Sequence, residues 1–238
     1  MGGSASLVHY VPVVTTILAV PFALEIYRRY REHPDRLHLL WWAIGIATYG
    51  VGTFTEATTT LVGWNEPTFR AWYISGALLG GAPLAQGTVY LLLGKRTAHV
   101  LTGLLIAYVV IASVFVVLSP IDYSQVEAHR LTGRVLQWQW VRAFSPVVNL
   151  YAVVFLIGGA ILSALRYSAD PSTRHRVYAN VLIAAGAILP GIGGTATRMG
   201  YVEVLYVTEL IGLLLTWMGY RMSVRPASAS APTVGLAT

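Results

Sequence analysis

The stretch VVIASVFVVL at residues 109–118 decides what kind of molecule this is. It carries no charge, and it lacks the alternation of apolar and polar residues that a membrane barrel strand shows, so it reads as a helix in an apolar medium. It sits within a longer apolar run, 98–119. That run matches the roughly 20 residues that a helix needs to cross a hydrocarbon layer about 30 Å thick. A helix suits such a layer because it satisfies its own backbone amides where no water can. Working outward, the same reading applies to 8–28, 38–63, 70–93, 146–166, 176–198 and 201–221, seven segments in all. The expected fold is an all-α integral membrane bundle of seven transmembrane helices.

Composition agrees with this. Of 238 residues, 55% are hydrophobic and only 11% charged, with a mean hydropathy of +0.62. Soluble domains carry about 25% charged residues, so too little charge remains here to cover a water-facing surface. The net charge of +6 follows from topology. The connections after the first, third and fifth segments, together with the C-terminal end, hold eleven of the sixteen Lys and Arg. By the positive-inside bias, the N-terminus is expected outside and the C-terminus in the cytoplasm, as in a multi-pass protein of a bacterial plasma (inner) membrane. No nucleic-acid partner is expected; the bilayer is the partner.

The seven-helix domain is expected over 1–222, followed by a disordered cytoplasmic tail, 223–238, rich in small residues. The first apolar run contains Pro12 and Pro21 and ends in Tyr27-Arg28-Arg29, so it reads as a span and not as a signal peptide. The longest connection, 120–145, reads as an amphipathic surface segment, with Val135, Leu136, Trp138, Trp140 and Val141 set among polar residues.

Several chemistries drop out. The chain has no cysteine, which removes thiolate catalysis, iron–sulfur clusters and disulfides. The histidines (His9, His33, His38, His99, His129 and His175) fall at segment ends or in connections, so neither a metal site nor a bis-histidine haem is expected. No serine in a span has a histidine at its depth. The sole lysine, Lys95, lies in a turn, and the last segment offers Glu209 but no amine, which excludes a retinal Schiff base of the rhodopsin kind. The expectation is a protein that is not an enzyme and holds no cofactor.

What remains is polar chemistry inside the spans, where each ionisable group is costly and therefore a functional candidate. Glu56 lies about 27 Å along the second segment and Glu209 about 12 Å along the seventh, both in the outer half. Tyr49, Trp72, Asn149, Arg198, Glu203 and Tyr206 are candidates at neighbouring depths, for a ligand-binding cavity open to the outside. The alternative is a structural one, in which Arg198 pairs with Glu203 or Glu209 and only ties two helices together. Gln86 and Tyr90, four apart, share one helix face and are expected to anchor neighbouring helices, with Asn180 and Glu25 as candidate partners. Pro83, Pro190, Gly191, Gly193 and Gly194 are hinge candidates, because proline removes a backbone hydrogen bond and glycine permits close approach.

A basic first loop leads into LLWWAIGIATYGVGTFTEA (39–57), then RAWYISGALLGGAPLAQGTVYLL (70–92), VYANVLIAAGAILPGIGGTATRMGY (177–201) and ELIGLLLTWMGYRM (209–222). This layout resembles the N-terminal seven-helix sensor region of bacterial membrane histidine kinases. The resemblance implies a sensory module. Because the chain ends at Thr238 without a kinase domain, it also implies signalling through a separate cytoplasmic protein. The expected function is therefore receptor-like binding of a small molecule or lipid in the outer half of the bundle. A small transporter or proton-coupled carrier that uses the intramembrane carboxylates is the alternative.

Overall fold

The structure, a computed structural model, describes residues 7–128, 130–167 and 174–224, so the expected tail lies almost wholly outside the described residues. The helices are α1 (Val11–Glu32), α2 (Leu37–Val62), α3 (Glu66–Trp72), α4 (Ala82–Leu92), α5 (Lys95–Leu118), α6 (Phe144–Ala152), α7 (Gly158–Tyr167), α8 (Arg174–Arg198) and α9 (Val202–Val224). A 3₁₀ turn, Leu7–Tyr10, leads into α1, and π-helical turns join α3 to α4 (Tyr73–Leu79) and α6 to α7 (Val153–Ile157). Among the described residues there is no strand, only two isolated bridges in the 119–143 connection. Six helical runs are long and apolar enough to cross a membrane: Leu7–Glu32, Leu37–Val62, Lys95–Leu118, Gln139–Arg166, His175–Arg198 and Val202–Val224. The chain is a multi-pass membrane protein.

The expected segment 70–93 is not among these six runs, because it is helical but not one continuous helix. After α3 the chain widens into the π turn and then passes through Gly80 at φ +46° before α4 begins. Only glycine enters that region without steric cost, and a Cβ on Gly80 would lie 3.0 Å from Asn149 Oδ1. Pro83 stands in the first turn of α4, where its missing N–H would have had no partner in any case. The break is thus written into Gly80-Gly81-Ala82-Pro83. By contrast, α8 runs unbroken through Pro190.

Glycine also sets how closely the helices approach. Gly186 and Gly193 on α8, and Gly212 and Gly219 on α9, are each seven residues apart and so recur on one face. A Cβ on Gly186 would lie 2.6 Å from the Gly212 carbonyl oxygen, and one on Gly193 would lie 2.7 Å from Leu205 Cα. The α8–α9 hairpin is therefore packed backbone to backbone. Side-chain contacts tie it to the first helices: Tyr49 OH donates to the Glu209 carbonyl at 2.9 Å, and Trp217 Nε1 and Arg221 Nη2 each donate to Glu25 at 2.8 Å.

The connection after α5 does not lie flat on a surface throughout. Val135, Leu136 and Val141 are fully buried and pack with Phe69, Tyr73 and Val116 into a folded cap, while Trp138 and Trp140 remain exposed. Glu66 clamps the cap to α3. Its Oε1 accepts from Arg70 at 2.6 and 2.8 Å, and its Oε2 accepts from Tyr123 at 2.9 Å. Arg70 in turn donates to the carbonyls of Val116 and Ser119 at the end of α5.

Gln86 and Tyr90 do anchor helices, but with partners other than Asn180 and Glu25. Gln86 is fully buried. Its amide donates to Thr102 Oγ1 at 2.8 Å and to the Ala98 carbonyl at 3.2 Å on α5, and its oxygen accepts from Tyr151 OH on α6. Thr102 continues the network to Tyr90, which meets His99 Nδ1 at 2.9 Å. Asn180 bonds its own helix at the Arg176 carbonyl, and Glu25 bonds Trp217 and Arg221.

Candidate functional site

Two carboxylates meet inside the bundle. Glu56 on α2 is 4% exposed, and its Oε1 accepts from Trp72 Nε1 at 3.0 Å. Trp72 is the last residue of α3, immediately before the π turn, so the break in that helix positions the donor. Glu209, from α9, brings its carboxyl within hydrogen-bonding reach of Glu56. One oxygen of each residue, Glu56 Oε2 and Glu209 Oε2, is buried without a hydrogen-bond partner. Two ionised carboxylates can only accept, so a pair this close needs a proton, or a cation from outside, between the two groups.

Both residues line one partly open cavity of about 1250 Å³ between α1, α2, the α3–α4 element, α6, α7, α8 and α9. Tyr49, Trp72, Asn149 and Arg198 line it as well, so the structure brings six of the eight candidate residues together at one void. The other two lie elsewhere. Tyr206 is buried beside Val202 and Leu205, with its ring edge-on to His9 at 6.0 Å, and is not a lining residue. Glu203 is exposed, with Oε1 4.0 Å from His9 Nε2. The anticipated Arg198–Glu203 or Arg198–Glu209 ion pair is not formed among the described residues. Arg198 ends α8 and faces the cavity instead.

Of the hinge candidates, Pro83 opens α4 beside the break, and Pro190, Gly191 and Gly194 line the cavity. Gly193 is instead pressed against α9. The cavity extends further than residue types alone suggest. Towards the capped end it reaches Arg130, Arg134 and Arg142; towards the other it reaches Arg166 and Arg176. Arg130 donates to the Thr197 carbonyl at 2.9 Å and pairs with Glu127 at 3.3 Å, which fastens the cap to α8. In the sequence these arginines carried topology only; nothing in a linear pattern shows that the cap turns them over a cavity. Among the described residues, no group of three or more His, Asp or Glu is placed to hold a metal ion.

Comparison with known protein families, with curated proteins and with solved structures gives no match, so the geometry carries the functional reading.

Proposed function

We propose that this protein is a receptor-like membrane module that binds a small molecule in its large cavity, with Glu56 and Glu209 as the polar anchor. The broken α3–α4 element serves as a third crossing, which gives seven spans with the N-terminus outside and the arginine-rich ends in the cytoplasm of a bacterial plasma membrane. One observation carries the reading: two carboxyls from different helices, each with a buried oxygen that no donor on the protein satisfies, belong to residues that line one cavity. Charge that deep is costly unless something answers it. A ligand with a cationic or strongly donating group answers it, and Tyr49 and Trp72 supply aromatic walls for its apolar body. The signal passes to a separate cytoplasmic partner through movement of the α8–α9 hairpin, which carries one of the two anchors.

The test is a thermal-stability screen of the purified protein against small organic amines and their neutral isosteres. Amines are expected to raise the unfolding midpoint, and the Glu56→Gln/Glu209→Gln double variant is expected to lose that response while keeping its helical circular dichroism. An undiminished response in the variant refutes the anchor. A second reading, a small proton-coupled carrier, is favoured by the reach of the cavity from Arg142 and Arg198 to Arg166 and Arg176. Under that reading the same amines accumulate in proteoliposomes bearing an imposed proton gradient. A receptor moves none of them.

A further inference from the structure

At the end of the bundle opposite the cap, α1 and α9 form a second hollow of about 510 Å³, which shares Tyr220 with the large cavity but contains neither Glu56 nor Glu209. Its α1 wall is the stripe Pro21, Leu24, Glu25, Arg28, Arg29 and Glu32, and its α9 wall is Trp217, Tyr220, Arg221 and Val224. Both sets recur at three- and four-residue intervals and therefore each occupy one helix face. The floor is fixed by rings, with Phe22 stacked on Trp217 at a centroid distance of 5.3 Å. Arg221 is held in place: its guanidinium lies 4.8 Å over the Trp217 ring and donates to Glu25 Oε2 from Nη2 at 2.8 Å and from Nε at 3.1 Å. Arg28 and Arg29 have no ion-pair partner among the described residues. Glu25 is engaged by Arg221, so the arginines outweigh the one other acid, Glu32.

We infer that this hollow is a binding site for an anionic phospholipid, with Arg28 and Arg29 around the phosphate and the exposed Leu24 and Pro21 beside an acyl chain. The chemistry is two-ended. Guanidinium forks match phosphate oxygens, and the apolar residues lie one turn deeper along α1, towards the hydrocarbon. The hollow also opens at the ends of two of the membrane-crossing helices, where headgroups lie, and basic pockets between such helices hold anionic headgroups. The preformed Arg221–Glu25–Trp217 cluster neutralises Glu25 and fixes the α9 wall, leaving Arg28 and Arg29 to meet the phosphate. The lipid then bridges α1 and α9 at their basic ends.

The test uses the full chain reconstituted in nanodiscs of phosphatidylcholine, with phosphatidylglycerol added in steps, and reads the unfolding midpoint together with lipid retained in native mass spectrometry. Phosphatidylglycerol is expected to stabilise the wild type, and the Arg28→Gln/Arg29→Gln variant is expected to bind it about thirtyfold more weakly, at roughly a fivefold loss per arginine. Arg31→Gln/Arg36→Gln removes the same charge from outside the hollow and is expected to leave most of the affinity. Equal losses in the two double variants overturn the site in favour of diffuse surface attraction. Protection by inorganic phosphate in pure phosphatidylcholine overturns the lipid assignment in favour of a free-anion site. Should the double variant not fold, Arg28→Gln alone decides by the same readout, and unchanged lipid retention overturns the proposal. None of these outcomes depends on the carboxyl pair.

Discussion

Replacing Gly186 by alanine asks whether the α8–α9 contact is as close as the structure has it. The new methyl would lie 2.5 Å from Thr216 Oγ1, 2.6 Å from the Gly212 carbonyl oxygen and 2.9 Å from Thr216 N. Two of those three atoms are backbone, so no side-chain rotation relieves the crowding. A carbon needs about 3.3 Å from a carbonyl oxygen, so the helices must separate locally by about 0.7 Å. Overpacking of this kind costs roughly 1–3 kcal/mol, against up to about 1 kcal/mol regained because alanine is the better helix former. The expected net loss is about 1–2 kcal/mol, which lowers the unfolding midpoint by about 2–8 °C in a chain of this size. Gly194→Ala is the internal control. It lies on the same helix, but its Cβ would meet nothing within 4 Å, so propensity acts alone and the midpoint holds or rises slightly. Circular-dichroism melts of both variants in one detergent make the comparison. A Gly186→Ala midpoint at or above that of Gly194→Ala refutes the backbone-to-backbone packing, and with it the wall of the cavity.

Three further outcomes follow from named contacts. Gln86→Leu strands the Tyr151 hydroxyl and leaves Thr102 with one partner fewer, and is expected to cost about 2–4 kcal/mol; Tyr151→Phe costs less, and the double variant is less than additive, as a denaturation cycle will show. Trp72→Phe removes the N–H on Glu56 Oε1 and is expected to change ligand-induced stabilisation while leaving helical content intact, so an unaltered response refutes the role of Trp72 in positioning Glu56. Hydrogen bonds from Arg70 and then from Tyr123 hold the Glu66 carboxyl below the ordinary glutamate range. A lowered native pKa means that its contribution is fully present above the unfolded pKa, near 4.3, and is lost as pH falls through the native value. The acid-induced loosening of the cap, followed by tryptophan fluorescence, is therefore expected to weaken in Glu66→Gln, and an identical acid limb in the two proteins refutes the clamp.

How much of this was legible depended on which physical signal each feature leaves in one dimension. The spans are legible because hydrocarbon imposes length and apolarity on every crossing, whatever its neighbours. Glu56 and Glu209 are legible for the complementary reason: a carboxylate within an apolar run stands out and is costly. The break at Gly80 left its trace in Gly80-Gly81-Ala82-Pro83, but that trace marks an irregularity and not its kind, since the same residue types leave α8 continuous at Pro190. Partner choice was not legible. Gln86 finds Thr102 and Tyr151, and Glu203 finds His9, because helix rotation and crossing order decide which faces meet. Arg130, Arg134 and Arg142 reach the cavity only because the cap folds inward over Val135, Leu136 and Val141.

The position of the cavity follows from the same small residues that pack the helices. Gly186, Gly193, Gly212 and Gly219 draw α8 and α9 into one tight hairpin, and Gly45, Gly52 and Gly87 draw α2 against the α3–α4 element: a Cβ on Gly45 would meet Leu84 N at 2.9 Å and one on Gly52 would meet Gly76 Cα at 3.5 Å. Where two pairs each close on themselves, the seam between them is where volume is left over, and the cavity lies in that seam. Glu56 belongs to one pair and Glu209 to the other. Only a few bonds cross between them, among them Tyr49 to the Glu209 carbonyl. A molecule that bridges the two carboxyls therefore joins two otherwise self-contained bodies, whereas one that touches a single carboxyl does not. The energy with which it shifts their relative position is limited to the difference in its affinity for the two arrangements. Ligands whose donating group contacts both carboxyls should for that reason be the ones that alter the α8–α9 hairpin, and a ligand held by Glu56 alone should bind without doing so.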